Sequence, residues 1–445
     1  MLRIKCKSLN AILILIFGII FLAKRSTCGT LVSFKNESEL WKIPDAHKSY
    51  YAQTSPDDRF NFLSSIFLSN SDPTYKRELL SKSPGEIQIV NEGFLNLDAK
   101  VYLDPEKNAV SNKETKIWVR YQIWCDKKAA KSQNNKTDFL FAHGMNAYGG
   151  IFSRFAKKFL DAGYRIIVPD LPSHGHSTGR HGHIEKINSL PESIQVVLYD
   201  VFKRDRKAGM EQRDVFVCGH SLGGFSALSY GTKYHTAGIS SLDLGIKDFR
   251  AKLKGVIAVS PMIDVARETM PNYPTQCFIR GLAKCLPTLK ISDLPISKRR
   301  HCADASNEIR FQNDPQTFHG TLRLSTAPAL LDGVKFIKKE GSNLNVPFII
   351  FHGEKDEVTD CSSSKKFYEE AKATNKQFKV YYNMNHSLIM LDRNENIHEI
   401  TEVLLQEMID WMKNILESGN SLKISPISKS LSYDLNDFFK EKKID

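Results

Sequence analysis

Short apolar runs recur along the chain and predict buried β-strands. The clearest are continuous rather than alternating, at 139–142, 166–168, 215–218, 256–259 and 348–351, and a last one covers 378–382. Continuous apolar strands are typical of a parallel sheet that is covered on both faces. Two earlier segments, 94–103 and 117–123, predict a pair of strands joined by a polar loop.

Apolar residues at helical spacing alternate with these strands. One set predicts a helix that ends at Gly163, and a later set lies on one face of a C-terminal helix: Ile397, Ile400, Leu404, Met408, Trp411 and Ile415. Strand-helix alternation predicts an α/β fold with a mostly parallel, doubly wound sheet. Residues 264–330 separate two strands by far more than one helix needs. We therefore expect an inserted helical cap there.

The first 29 residues have the pattern of a signal peptide or signal anchor. Basic residues precede an apolar run at 11–23, which suits a signal-peptide core and falls short of the roughly 20 residues that span a bilayer. The pair Lys24-Arg25 directly after the run is less typical of a cleaved signal, so an anchor stays open. We expect the chain in the secretory pathway, secreted or lumenal, or anchored to the membrane by this segment.

The remaining chain divides into an N-terminal extension at 30–90, an α/β domain at 91–417 that includes the cap, and a polar tail at 418–445. Hydrophobic residues make up 41% and charged residues 25%, as in ordinary globular proteins.

The formal net charge of +12 predicts peripheral contact with an anionic membrane surface or, alternatively, a solvated basic surface. Basic residues are not interleaved with stacking aromatics, so no nucleic acid partner is expected. The cysteine spacing does not match a zinc site, and we assign no metal and no cofactor.

The segment 215–224 reads VFVCGHSLGG, which is a strand followed by Gly-x-Ser-x-Gly and a predicted helix. This arrangement places a serine on a sharp turn, and the two glycines let strand and helix approach closely. The alternative is a structural turn without chemistry. The context predicts that Ser221 is a nucleophile.

An acid and a base are expected on loops after later strands, in the chain order Ser, Asp, His. Asp356 stands three residues beyond Gly353, with Glu354, Glu357 and Asp360 as competitors in the same loop. His386 follows the last predicted strand. We predict that His386 takes the proton from Ser221 and that Asp356 orients and stabilises the imidazolium.

An oxyanion hole requires two backbone N–H groups beside the nucleophile. One is expected from Leu222, the residue after the nucleophile. The other is expected from Met145, in the loop HGMN that follows the strand ending at Ala142. His143 in this loop is expected to pack beneath the site rather than to act chemically.

These residues resemble the monoglyceride lipase and lysophospholipase branch of the α/β-hydrolases. The segments that carry the likeness are FAHGM at 141–145, DLPSHGHSTGR at 170–180, GHSLGG at 219–224, HGEKDEV at 352–358 and the cap end at 313–333. The resemblance implies a small cap, an acyl-binding groove, and the same triad (Ser221, Asp356, His386) with Met145 and Leu222 as oxyanion donors. It implies a serine hydrolase that cleaves the ester bond of monoacyl lipids, monoacylglycerols or lysophospholipids, through an acyl-enzyme on Ser221.

Three alternatives remain open. An acyltransferase or a general carboxylesterase would use the same triad, and a non-catalytic lipid-binding homologue would keep the fold. The chain also departs from the family pattern, because Asn146 stands where many relatives have a second glycine. That departure affects the expected acyl-chain and head-group preference and leaves the triad unchanged.

Overall fold

The computed structural model describes residues 83–103, 118–126, 136–179, 181–234, 246, 248–264, 272–289, 305–314, 316–318 and 322–417. The predicted signal segment and the predicted C-terminal tail lie outside these ranges, and so does the predicted extension up to residue 82. The domain boundaries proposed from sequence therefore stay predictions.

The described residues form an eight-stranded sheet. In chain order its strands are β1 (Phe94–Tyr102), β2 (Trp118–Asp126), β3 (Thr137–Ala142), β4 (Arg165–Pro169), β5 (Asp214–His220), β6 (Lys252–Val259), β7 (Phe348–Gly353) and β8 (Lys376–Tyr381). Their order in the sheet is β1-β2-β4-β3-β5-β6-β7-β8. Strand β2 runs antiparallel to both of its neighbours, and every pair from β4 to β8 is parallel. The predicted mostly parallel sheet is confirmed.

Helices connect these strands. They are α1 (Pro84–Asn91), α2 (Ser153–Asp161), α3 (Ser189–Lys207), α4 (Leu222–Tyr234), α5 (Tyr273–Cys285), α6 (Ala305–Asn313), α7 (Thr326–Glu340), α8 (Cys361–Glu370) and α9 (Glu399–Glu417). A 3-10 turn at Gly149–Phe152 leads into α2, and another at Gly341–Asn343 follows α7. None of the described helices has both the length and the apolar character needed to cross a bilayer.

Two apolar clusters lie on opposite faces of the sheet and explain the continuous apolar strands. Successive residues of one strand enter different clusters: Leu140 joins the cluster that includes residues of α3 and α4, whereas Phe139 and Phe141 join the cluster that includes residues of α2 and α9. Because side chains alternate across a strand, both faces must be apolar when both are covered. Helices therefore cover both faces of the sheet, which is the doubly wound arrangement predicted from sequence.

The segment 264–330, where the sequence predicts a cap, contains α5, α6 and the start of α7. Helix α7 packs back against α4. Helix α5 has no buried residue and exposes Tyr273 (76%) and Phe278 (50%). Helix α6 is tied to the chain beyond β8, because the Asn307 side chain exchanges two hydrogen bonds with the Leu391 backbone, at 2.7 and 3.0 Å. This part of the cap is thus fastened next to the loop that contains His386.

Candidate active site

Ser221 lies between β5 and α4, on the turn predicted to hold the nucleophile. Its φ is +56°, in the left-handed region that residues with a side chain rarely adopt. The conformation costs roughly 1–2 kcal/mol and is held by backbone hydrogen bonds: Ser221 N–H donates to Val259 O (2.9 Å), and Ser221 O accepts from Phe225 N–H and Met262 N–H. A strained serine on a strand-to-helix turn is the geometry of a nucleophile elbow.

The two glycines of the motif allow this turn to close. A Cβ atom at Gly219 would overlap the carbonyl group of Gly223, and a Cβ atom at Gly223 would overlap the carbonyl group of Ala142. Both obstacles are backbone atoms, which cannot rotate away as a side chain can. Only glycine therefore lets α4 begin this close to the ends of β3 and β5.

Asp356 and His386 lie together at the same edge of the sheet, on the loops after β7 and β8. His386 Nδ1 lies 2.7 Å from Asp356 Oδ2, and both side chains are buried. The other carboxylate oxygen, Oδ1, accepts hydrogen bonds from the backbone N–H groups of Val358 (2.8 Å) and Thr359 (2.9 Å). The carboxylate is therefore oriented by backbone donors on one side and presented to His386 on the other.

Burial on its own would raise the pKa of Asp356. The neighbouring His386, together with a second imidazole at His352, overcomes that effect and holds the pKa well below its usual range. The carboxylate is accordingly ionised at neutral pH, as is required of a group that must stabilise an imidazolium.

The competing acids in the Asp356 loop are engaged elsewhere. Asp360 caps the N-terminus of α8, where it accepts from the Ser362 backbone N–H (3.0 Å). Glu354 and Glu357 are exposed, and Glu354 accepts from the Asn383 backbone N–H. The geometry thus brings Asp356, rather than its neighbours, to the histidine.

The residue before Ser221 brings the turn and the histidine together. The ring of His220 lies 5.0 Å from that of His386, and its Nε2 lies 3.3 Å from His386 O.

His143 fixes the loop that holds the predicted oxyanion donor Met145. Its Nδ1 lies 2.7 Å from Gly144 O, and Leu171 N–H donates to its Nε2 (2.9 Å). Burial lowers the pKa of His143 to about 4, so the ring is neutral and its Nδ1–H is the donor to Gly144 O. Because a trans peptide is planar, fixing the Gly144 carbonyl also fixes the Met145 N–H on the opposite side.

Both predicted oxyanion donors lie beside the nucleophile turn. A Cβ atom at Gly144 would lie 3.5 Å from Ser221 Cβ, which places the Met145 loop against the serine. Leu222 is the first residue of α4, where backbone N–H groups have no partner within the helix. The roles of Met145 and Leu222 stay predictions, and the arrangement suits them.

Two contacts of the acid were missed by sequence reasoning. Thr359 Oγ1 donates to Asp356 Oδ2 at 2.8 Å, and His352 Nε2 lies 3.1 Å from the same oxygen. The only sequence signal for them is their position next to Asp356 in the segment 352–359.

Within the part of the chain that is described, no group of three or more His, Cys, Asp or Glu side chains is arranged to hold a metal ion.

The chain as a whole is similar to known proteins. The family model described as serine aminopeptidase, S33, matches residues 133–394. The chain is 28% identical over 285 residues to a putative monoglyceride lipase of Schizosaccharomyces pombe, covering 64% of this chain and 69% of that protein. It is 25% identical over 269 residues to the caffeoylshikimate esterase of Arabidopsis thaliana, covering 59% of this chain and 73% of that protein.

The fold is similar to that of a solved structure of a soluble variant of the monoglyceride lipase from Saccharomyces cerevisiae, in complex with a substrate analog. The TM-score is 0.53 at 20% sequence identity, and the match covers 68% of this chain and 94% of that chain. The α/β-hydrolase fold predicted from sequence is confirmed, and so is the resemblance to monoglyceride lipases.

Proposed function

The chain belongs to the serine aminopeptidase S33 family of α/β-hydrolases, and from this premise we propose that it is a serine hydrolase of monoacyl lipid esters. The observation that carries the proposal is the strained Ser221 at φ +56° beside a buried Asp356–His386 pair. A left-handed serine between a strand and a helix is costly to keep, and it is expected where the hydroxyl must be exposed for attack.

The proposed reaction has two halves. His386 removes the proton from the Ser221 hydroxyl while Oγ attacks the acyl carbonyl, and the resulting oxyanion accepts hydrogen bonds from the Met145 and Leu222 N–H groups. His386 then gives the proton to the departing alcohol, which leaves an acyl-enzyme on Ser221. Water, activated by His386, hydrolyses this ester and releases the fatty acid.

Throughout both halves, Asp356 stays ionised and balances the charge on His386. Its Oδ1 is held by the backbone N–H groups of Val358 and Thr359. The hydrogen bond from His386 Nδ1 to Oδ2 keeps the base in the tautomer that carries hydrogen on Nδ1, so that Nε2 is the nitrogen that accepts the serine proton.

The choice of substrate rests on the cap and on the relatives. Two relatives that the chain resembles are named monoglyceride lipases, one of them by sequence and one by structure. Helix α5 exposes Tyr273 and Phe278 in the predicted cap, and exposed aromatic side chains suit contact with an acyl chain or a lipid surface.

The formal net charge of +12 supports peripheral binding to anionic membranes. The N-terminal apolar run supports a location in the secretory pathway.

The purified chain is assayed against a monoacylglycerol, a lysophospholipid, a short p-nitrophenyl ester and an amino-acid p-nitroanilide. We expect fatty-acid release from at least one monoacyl lipid, labelling by a fluorophosphonate probe, and loss of both in Ser221→Ala. Activity on the anilide alone would replace the lipid assignment with a peptidase. Transfer of the acyl group to added glycerol in preference to water would replace hydrolysis with acyl transfer. Ester hydrolysis that survives Ser221→Ala would refute the proposal.

A further inference from the structure

A second histidine contacts the predicted catalytic acid. His352 belongs to β7, directly before the loop that contains Asp356, and its side chain is fully buried. Its Nε2 lies 3.1 Å from Asp356 Oδ2, the same oxygen that lies 2.7 Å from His386 Nδ1. One carboxylate oxygen is therefore shared by two imidazole rings, only one of which can face Ser221.

The hydrogen-bond partners define the hydrogen positions on His352. Two groups face His352 Nε2: Asp356 Oδ2 at 3.1 Å and Thr359 Oγ1 at 3.3 Å. The Thr359 hydroxyl gives its hydrogen to Asp356 Oδ2, and an ionised carboxylate can only accept, so the hydrogen of His352 is assigned to Nε2. The neutral ring then accepts at Nδ1, where the Ser364 hydroxyl lies at 2.9 Å. Ser364 is buried on α8. Ser364 thus donates to His352 Nδ1, and the ring directs its Nε2 toward Asp356 Oδ2, the oxygen that also accepts from His386.

These contacts hold the carboxylate independently of the base. On the Oδ2 side, His386 and Thr359 Oγ1 donate hydrogen bonds, and His352 Nε2 lies 3.1 Å away. During the reaction His386 gains and loses a proton, and its hydrogen bond to Asp356 changes strength accordingly. His352 is on β7, which is paired with a strand on each side. It does not take part in proton transfer, so it can keep Oδ2 in place throughout the cycle.

We propose that His352 is a positioning residue for the reaction, whose Nε2–H holds the Asp356 carboxylate in the orientation that aligns His386. The proposal rests on the proposed function, because it assigns Asp356 and His386 the roles of acid and base. The competing explanation is a buried core histidine whose polar atoms are merely satisfied by their neighbours. The positioning role makes turnover depend on Nε2, whereas the competing explanation gives neither ring nitrogen a particular role in turnover.

A pair of matched variants separates the two nitrogens. In His352→Gln the amide nitrogen occupies nearly the position of Nε2 and can still donate to Asp356. In His352→Asn the polar atoms reach only the position of Nδ1, so the contact with Ser364 is kept and the contact with Asp356 is lost. Both variants remove the aromatic ring, which makes each a control for the packing loss in the other.

The assay measures kcat and KM for a short p-nitrophenyl ester, with melting temperature as the control for folding. A hydrogen bond to a charged group that is lost from the site lowers kcat by roughly ten- to a hundredfold. We expect that loss in His352→Asn with KM nearly unchanged, whereas His352→Gln keeps kcat within about threefold of wild type. If the two variants lose kcat equally, or if neither loses it, the proposal is overturned.

The wild-type chain provides the separate test of the proposed function. If it neither hydrolyses the ester nor reacts with a fluorophosphonate, the proposed function fails, and this inference fails with it. If the wild type is active and the two variants are alike, only the role of His352 is refuted. Should His352→Asn not fold, Ser364→Ala decides, because it removes the hydrogen bond at Nδ1 that orients the His352 ring toward Asp356. We expect a severalfold lower kcat at unchanged KM, and an unchanged kcat would overturn the proposal.

Discussion

Replacing the acid by its amide, Asp356→Asn, tests the site most directly. The new NH₂ group must occupy one of the two oxygen positions. On the Oδ1 side it would face the backbone N–H groups of Val358 (2.8 Å) and Thr359 (2.9 Å), which are donors and cannot turn away. On the Oδ2 side the Thr359 hydroxyl and the two imidazoles can accept instead of donate, which backbone N–H groups cannot do. The amide is therefore forced to place its NH₂ on the Oδ2 side, facing His386 Nδ1, which lies 2.7 Å from Oδ2 in the wild type.

This orientation reverses the tautomer of the base. To accept from the amide, His386 must carry its hydrogen on Nε2, where it can no longer take the proton of Ser221. The corresponding reversal in serine proteases lowers kcat by about 10⁴-fold, and we expect a loss of that order here. The substitution also removes the negative charge that accepts hydrogen bonds from the Val358 and Thr359 backbone and from His386. We expect this to lower the free energy of unfolding by about 1–3 kcal/mol.

The experiment measures kcat on a short p-nitrophenyl ester and the melting temperature of both Asp356→Asn and Ser221→Ala. Both variants should be nearly inactive, but only Asp356→Asn should melt at lower temperature. Should Asp356→Asn retain more than about a hundredth of wild-type kcat, Asp356 is not the acid, and the reasoning about amide orientation fails.

Three further outcomes are expected. Gly223→Ala should abolish activity and lower the melting temperature, because its Cβ overlaps the carbonyl of Ala142; a stable, active variant would contradict the account of the turn. Burial raises the pKa of Asp314 to about 6 from 3.8, so its ionisation lowers stability as pH rises through that window; Asp314→Asn should gain in melting temperature relative to wild type between pH 4 and pH 7, and a constant difference would refute this. Phe278→Ser should lower the ratio of long-chain to short-chain ester kcat/KM by roughly fivefold without loss of stability, and an unchanged ratio would remove α5 from the acyl site.

The strands were predictable because their physical requirement is simple. A strand covered on both faces is apolar on both, as at Phe348, Ile349, Ile350 and Phe351 of β7. Helix α3 (Ser189–Lys207) was not predicted, because its buried residues include Ser193, Gln195 and Asp205 beside the apolar ones. The polar residues interrupt the helical period that sequence reasoning depends on.

The same contrast holds within the site. Ser221, Asp356 and His386 were assigned because each follows a strand in the order that the fold requires. His352 and Thr359 were missed, since a buried histidine in a strand and a threonine in a loop have no distinguishing pattern. Their contacts with Asp356 depend on side-chain directions that only the folded chain provides.

The left-handed backbone of Ser221 has a consequence for how such a chain changes when selection for its activity is relaxed. Glycine adopts φ near +56° without the steric cost that serine bears. Ser221→Gly would therefore destroy the nucleophile and at the same time relieve strain, whereas Ser221→Ala would destroy it and keep the strain. In descendants that need only the fold, substitution by glycine is favoured at this position, and the inactive protein would be the more stable one. The turn is thus maintained against its own stability by catalysis alone.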